Sequence, residues 1–521
     1  MSEHQHEHAP KFQARCCPRC QLGEEEGVSR RTFLGGVGGA ALGGMALSYF
    51  AWSELVAAEQ SVPAPPARQP LVVKPILTYA TPQRHPQTSW RPWGGIQTQA
   101  DAAAEVARIQ GELEKLRASA DFPVRFLPVA AIRDPRELAA ASDTAQADTV
   151  LLYAAGGPAH IYQQFRKEGK NVVFFVRHKS GPVSLWYEIV SPIYLRGHTD
   201  ARVDKFLDEQ DVVVDSQNEV LWRLRALCGL KNTLGSRILA IGGPGGWAAP
   251  KAPDLAKDRF KLDIQTISYP QLGELIKAAR ADQAAVALAR HRAAEYLKQP
   301  GTTLETKKEF VENAFLLDQI FRALMKKADC RAITINGCMS TIMPISETTA
   351  CLTLSTLNDD GYLAFCESDF VVIPSGILLA NISGRPVFLN DPTYPHDGII
   401  TLAHCTGPRK MDGKTLEPAR ILTHFESDYG AAPKVEMRKG QITTNIIPDF
   451  KANRWVGLLG EIADAPFLDI CRDQIDIRFK CDSLLVAERM PGFHWMTGYG
   501  DYSKELGYAL KRVGIQWEFL G

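Results

Sequence analysis

The chain has 521 residues, 45% hydrophobic and 23% charged, which is the profile of a globular protein too long for one ordinary domain. Its 59 acidic and 59 basic residues cancel, so bulk charge supports neither a nucleic-acid partner nor an anionic membrane surface. Of the eleven cysteines, Cys16, Cys17 and Cys20 fall near the N-terminus. The other eight lie in apolar stretches and read as small buried hydrophobes rather than a disulfide framework.

Ser29-Arg30-Arg31-Thr32-Phe33-Leu34 reads as a twin-arginine export signal. Residues 35–51 are moderately apolar but too glycine-rich for a membrane span. Val56-Ala57-Ala58 offers small residues for cleavage. Residues 1–58 are therefore assigned to the signal and 59–70, rich in proline, to a linker. The signal implies the twin-arginine translocase as a partner, an extracytoplasmic location and export in the folded state. His4, His6, His8 and the Cys16/Cys17/Cys20 group have metal-ligand chemistry but would leave with the signal.

Residues 71–235 alternate strand-like runs (71–79, 149–154, 171–176) with a helix over 99–118. A second unit, 236–330, opens with the strand 237–241. It ends in a helix over 307–327, whose Phe310, Ala314, Leu317, Phe321 and Leu324 share one face. Such alternation predicts parallel sheets. The fold class expected is α/β: two doubly wound parallel-sheet domains followed by a mixed, strand-rich α+β domain over 331–521. Strands are expected in the last unit at 332–336, 362–366, 386–389, 399–403, 419–425, 475–479 and 483–487, with a final helix near 502–513. Gly156-Gly157-Pro158 and Gly242-Gly243-Pro244-Gly245-Gly246 each follow a strand and read as tight turns, since a proline within the run disfavours a phosphate cradle. A sugar-facing role for the neighbouring His160 or Trp247 stays open.

Four strand-like runs of the last unit each lead into metal-competent side chains: Glu367 and Asp369, Asp391, His404, and His494. Carboxylates directly after apolar strands are costly to bury without a partner, and a shared cation removes that cost. Two carboxylates with one or two imidazoles suit a hard or borderline ion such as Mn²⁺. The same residues also fit a solvated rim of strand ends.

Taken together, these segments resemble the L-fucose/L-arabinose isomerase family. Gly361-Tyr362-Leu363-Ala364-Phe365-Cys366-Glu367-Ser368-Asp369 is similar to its Cys-Glu-Gly-Asp segment, and residues 381–391 to the strand that follows. Leu402-Ala403-His404-Cys405 resembles its His-Cys-Gly strand, and Met490-Pro491-Gly492-Phe493-His494 its C-terminal His segment. Ser368 and Thr406 stand where the family has glycine. The resemblance spans about residues 333–521 and implies Glu367, Asp391 and His494 as ligands of a divalent cation, with His404 as a fourth in arabinose-type members. It implies aldose–ketose isomerisation of a small sugar through an enediol. Glu367 or Asp391 would be the base, and the chain would form a homo-oligomer. Strand alternation would put Asp369 on the same side as Glu367, behind the ligands or in contact with substrate, or leave it exposed to solvent. Two other classes share these features: an exported sugar-binding protein without turnover, and a metal enzyme of other chemistry on a polyol or sugar acid.

Overall fold

The computed structural model describes residues 51–56, 63–88, 95–181, 190–203 and 207–521. The twin-arginine motif, the two N-terminal His and Cys groups and Ala57-Ala58 lie outside the described residues. Among the described residues no helix is long and apolar enough to cross a membrane. Trp52–Val56, inside the expected signal, forms a short helix against the second unit. The Trp52 indole is buried there and donates its N–H to Asp282 Oδ2 at 3.0 Å.

The first unit is a parallel sheet of β1 (Leu71–Thr78), β2 (Val124–Phe126), β3 (Ala130–Ile132), β4 (Thr149–Ala154), β5 (Asn171–Val176) and β6 (Val212–Val214). The order is β2-β1-β4-β5-β6, with β3 beside the later half of β1. Every residue of β1 and β4 is buried, which explains their largely apolar runs; Lys74 of β1 is buried too, its Nζ donating to Pro128 O at 2.7 Å and to Asp143 Oδ2 at 2.9 Å. The helix Gln99–Ser119 starts at a capping box in which the Thr98 and Asp101 side chains satisfy each other's backbone N–H groups. The turn after β4 needs its glycine: Gly157 has φ +69°, and a Cβ there would lie 2.3 Å from the Tyr79 carbonyl oxygen.

The second sheet contains β7 (Arg237–Ile241) and β8 (Asp263–Ile267). After a short β9 (Thr302–Leu304), it is joined by β10 (Ala332–Ile335) and β11 (Leu363–Phe365), all parallel, in the order β11-β10-β7-β8. The boundary expected at 330/331 therefore falls inside this sheet. The helices Lys308–Lys327 and Cys351–Asp359 precede β10 and β11 and serve as crossovers, which is how parallel neighbours are connected. Short apolar runs carry no mark of the sheet they join.

The last unit holds β12 (Phe388–Pro392), β13 (Ile399–His404), β14 (Ala419–His424), β15 (Tyr429–Val435), β16 (Ile442–Pro448), β17 (Arg454–Asp464), β18 (Asp473–Arg478), β19 (Trp495–Tyr499) and β20 (Gln516–Leu520). Six of them, in the order β16-β19-β12-β13-β18-β17, form an antiparallel barrel closed by the β16–β17 pairing. The C-terminal β20 lies parallel to β17, while β14 pairs with β15 and β9 in a separate small sheet. Residues 483–487, expected as a strand, are part of the helix Ser483–Arg489. The Asp482 side chain caps that helix by accepting the Leu484 N–H at 2.8 Å.

One helix ties the units together. All eleven residues of Ile373–Ser383 are buried. It meets the first unit where Gly229 lets the helix Gln217–Thr233 approach; a Cβ at Gly229 would sit 2.3 Å from Ile382 Cγ1. On its other side Gly376 approaches Phe365 of β11 and Met496 of β19. The barrel and the parallel sheet are thus fixed against each other through this helix.

Candidate metal centre

The site forms where the C-terminal end of β11 faces one end of the barrel. After Phe365 the chain does not continue as a strand. Glu367 (φ +63°) and Ser368 (φ +52°) are both left-handed, and for non-glycine residues each costs about 1–3 kcal/mol. The glycine-rich loop after β7 holds this turn. Gly245 N–H donates to Ser368 O at 3.1 Å, Phe370 N–H to Gly245 O at 3.1 Å, and Ser368 Oγ to Gly243 O at 3.0 Å. The serine hydroxyl at a position where glycine would be conformationally easier thus anchors the turn.

The barrel registers bring up the other residues. Asp391 of β12 pairs with Ala403, next to His404 at the end of β13. Asn390 pairs with Trp495, so His494 enters from the start of β19 rather than from the end of a strand. The 404–407 turn is fixed by Asp473, whose carboxylate accepts the Gly407 N–H at 2.6 Å and the Val435 N–H at 2.7 Å. Burial pushes the Asp473 carboxyl up to about 7.

His494 sits at the centre. Its Nδ1 lies 2.7 Å from Asp369 Oδ2, and its Nε2 lies 3.3 Å from both Glu367 Oε2 and Asp391 Oδ1. Glu367, His404 and His494 each offer a ligand atom within 4.8 Å of the other two, a group able to hold a metal ion. Asp391 joins through its approach to His494. His494 Nε2 and Asp391 Oδ1 are close, yet neither has a hydrogen-bond partner in good geometry although both atoms are buried. Buried polar atoms are seldom left in that state. Side chains aimed at a common cation leave their donor atoms in this way, so the residues fit such an ion.

The electrostatics follow from this crowding. Burial opposes charge on His494, but Asp369, Glu367 and Asp391 together hold its imidazole well above the ordinary histidine value. Burial pushes the Asp391 carboxyl up to about 6, with His494 and His404 pulling the other way. Trp247 (φ +46°) lies flat on Phe493, ring centroids 4.0 Å apart and planes 3° apart, and presents its edge to His494 at 6.1 Å. The two rings make an aromatic wall beside the carboxylates.

Of the residues expected around the ligands, Asp369 lies behind them and His160 stands apart from them. Asp369 is only 2% exposed, with Oδ2 facing His494 and Oδ1 accepting the Val371 N–H at 3.0 Å. It is neither solvent-exposed nor free to contact substrate, because the left-handed turn at 367–368 carries it behind His494. His160 is exposed on a short turn of the first unit and takes no part in the contacts that define the site. Phe493, which aligns Trp247, was not singled out in the sequence; its place directly before His494 was the available signal. No protein-family model matches the chain, and no curated protein matches it either.

Proposed function

We propose that this protein is a metal-dependent aldose–ketose isomerase, exported through the twin-arginine translocase and assembled as a homo-oligomer. Glu367, Asp391, His404 and His494 would hold the cation, and oxygen donors with imidazole nitrogens suit Mn²⁺. When bound, the cation supplies Lewis-acid polarisation of the sugar carbonyl. The observation that carries the reading is the unpartnered pair His494 Nε2 and Asp391 Oδ1 beside Glu367.

The chain's own residues divide the work. Asp369 orients His494 by accepting from Nδ1, which leaves Nε2 for the ion. Glu367 or Asp391, both beside the ion, is assigned the proton transfer between adjacent sugar carbons, through an enediol. Trp247 and Phe493 offer a flat surface for the apolar side of the sugar and limit water on that flank. The strand order of the first unit, which reverses between β1 and β4, supports a doubly wound arrangement there.

The test is metal analysis of the purified protein, followed by an aldose panel assayed for ketose with and without added Mn²⁺. Manganese-dependent ketose formation is the expected result. Sugar binding without turnover would favour a binding protein, and turnover insensitive to chelators would remove the metal from the reaction.

A further inference from the structure

Four cysteines that are far apart in sequence meet next to the centre described above. Cys338 begins the turn after β10, Cys351 begins the helix Cys351–Asp359, Cys366 follows β11 and Cys405 follows β13. All the cysteines among the described residues are free thiols. Cys405 neighbours Cys351 and Cys366, and Cys366 neighbours Cys338, while Cys405 Sγ lies 3.5 Å from His404 Nδ1. Two imidazoles border the thiols: His404, and His424 at the end of β14. Cys351, Cys405 and His424 each offer a ligand atom within 4.8 Å of the other two, as do Cys366, His404 and Cys405.

Thiols packing as small hydrophobes do not account for His424. It is 6% exposed and comes from a different sheet, yet its ring is turned into a group of sulfur atoms. Its Nδ1 lies 3.3 Å from the Ser427 hydroxyl, which leaves the other ring nitrogen for a second partner. A ligating imidazole is oriented in this manner. Tetrahedral zinc, with bonds of about 2.3 Å to sulfur and about 2.0 Å to nitrogen, places its ligand atoms roughly 3.5–3.8 Å apart. Cys351, Cys405 and His424, each within 4.8 Å of the other two, lie at most about 1 Å beyond that spacing.

We propose that Cys351, Cys405 and His424 form a second metal site, for a soft d¹⁰ cation with Zn²⁺ as its ion. Sulfur-rich donor sets select such ions over Mn²⁺. The site does not depend on the isomerase reading. Its placement gives it a structural role: Cys405 follows His404, Cys351 opens the helix that leads into β11, and His424 ends β14, so one soft ion would tie the segment that carries a harder ligand to two other elements.

The experiment uses the full chain. Protein is loaded with Zn²⁺, dialysed and analysed for metal, and in parallel loaded with Co²⁺ for absorption spectroscopy. The expected results are one zinc retained per chain and a thiolate-to-cobalt charge-transfer band. Cys351→Ser and His424→Ala should lose most of the zinc and the band, while Glu367→Gln should keep both. A wild-type cobalt spectrum without the thiolate band would overturn the proposal even if the cysteine variant does not fold. Equal zinc retention by wild type and a folded Cys351→Ser would do the same.

Discussion

Asp369→Asn is the sharpest probe of the Glu367/His494 centre. The side chain keeps its size and loses its charge, in a buried pair with a 2.7 Å separation between Asp369 Oδ2 and His494 Nδ1. A hydrogen bond to a charged group contributes about 1.5–3 kcal/mol and a neutral one about 0.5–1.5 kcal/mol, so the exchange loses about 1–2 kcal/mol. The known effect of removing such a partner behind a ligating imidazole is about 10–100-fold in metal affinity, which agrees. The proton on His494 adds a second signature. Asp369 is among the groups that hold this imidazole well above its ordinary value, so the metal must displace a proton from the wild type. The variant binds that proton less tightly. Its affinity loss is therefore smaller at about pH 6.5 than at about pH 8.5, because proton competition weighs more on the wild type at the lower pH. Competition titrations of Mn²⁺ against a chelator at both pH values measure this, with near-ultraviolet circular dichroism to verify the fold. Wild-type affinity at both pH values would refute the assignment of Asp369 to the imidazole.

Asp391→Asn should lower ketose formation by about 10²–10⁴-fold with the fold intact; near-wild-type turnover would take Asp391 out of the reaction. Burial pushes the Asp359 carboxyl up to about 7 from an ordinary 3.8, although its oxygen accepts the Lys410 N–H at 2.7 Å. The folded state then holds a proton that the unfolded chain has lost, so this group costs stability as pH rises from about 4 to about 7. Each of the roughly three pH units is worth about 1.4 kcal/mol. Partial solvent access reduces the total, so Asp359→Asn should stabilise the protein by about 2 kcal/mol at pH 8 and by little at pH 4, as read from urea midpoints. A stability gain that does not change with pH would count against the raised carboxyl. Asp318 is fully buried and accepts from Arg322 Nε at 2.8 Å and from Arg292. Asp318→Ala strands the buried Arg322 charge and should cost about 3–5 kcal/mol; a loss below about 1 kcal/mol would show that Asp360 alone compensates it.

Much of the parallel scaffold was legible because strands buried on both faces are written as unbroken apolar runs. β4, β5 and β7 have the limits those runs suggest, and the helix Lys308–Lys327 follows its stripe. The helix Ile373–Ser383 was illegible for the opposite reason: it is buried on every side and has no polar face to set a period. Residues 483–487 look like a strand by composition, but the Asp482 cap decides for a helix. In the site, side-chain chemistry marked Glu367, Asp391, His404 and His494, whereas the orientation of Asp369 depends on two left-handed residues that strand alternation cannot anticipate. The meeting of Cys351, Cys405 and His424 is a product of tertiary structure alone, since each comes from a different element.

Glu367 and Asp369 ride on the parallel sheet, while Asp391, His404 and His494 ride on the barrel. An ion bound between them recognises only the docked arrangement, so its free concentration becomes a term in the stability of that arrangement. At a hundredfold excess over Kd the term is about 2.7 kcal/mol. Stripped of metal, the sheet and the barrel lose that term and should melt at a lower temperature. With metal present they should melt at a temperature that rises with the logarithm of the metal concentration.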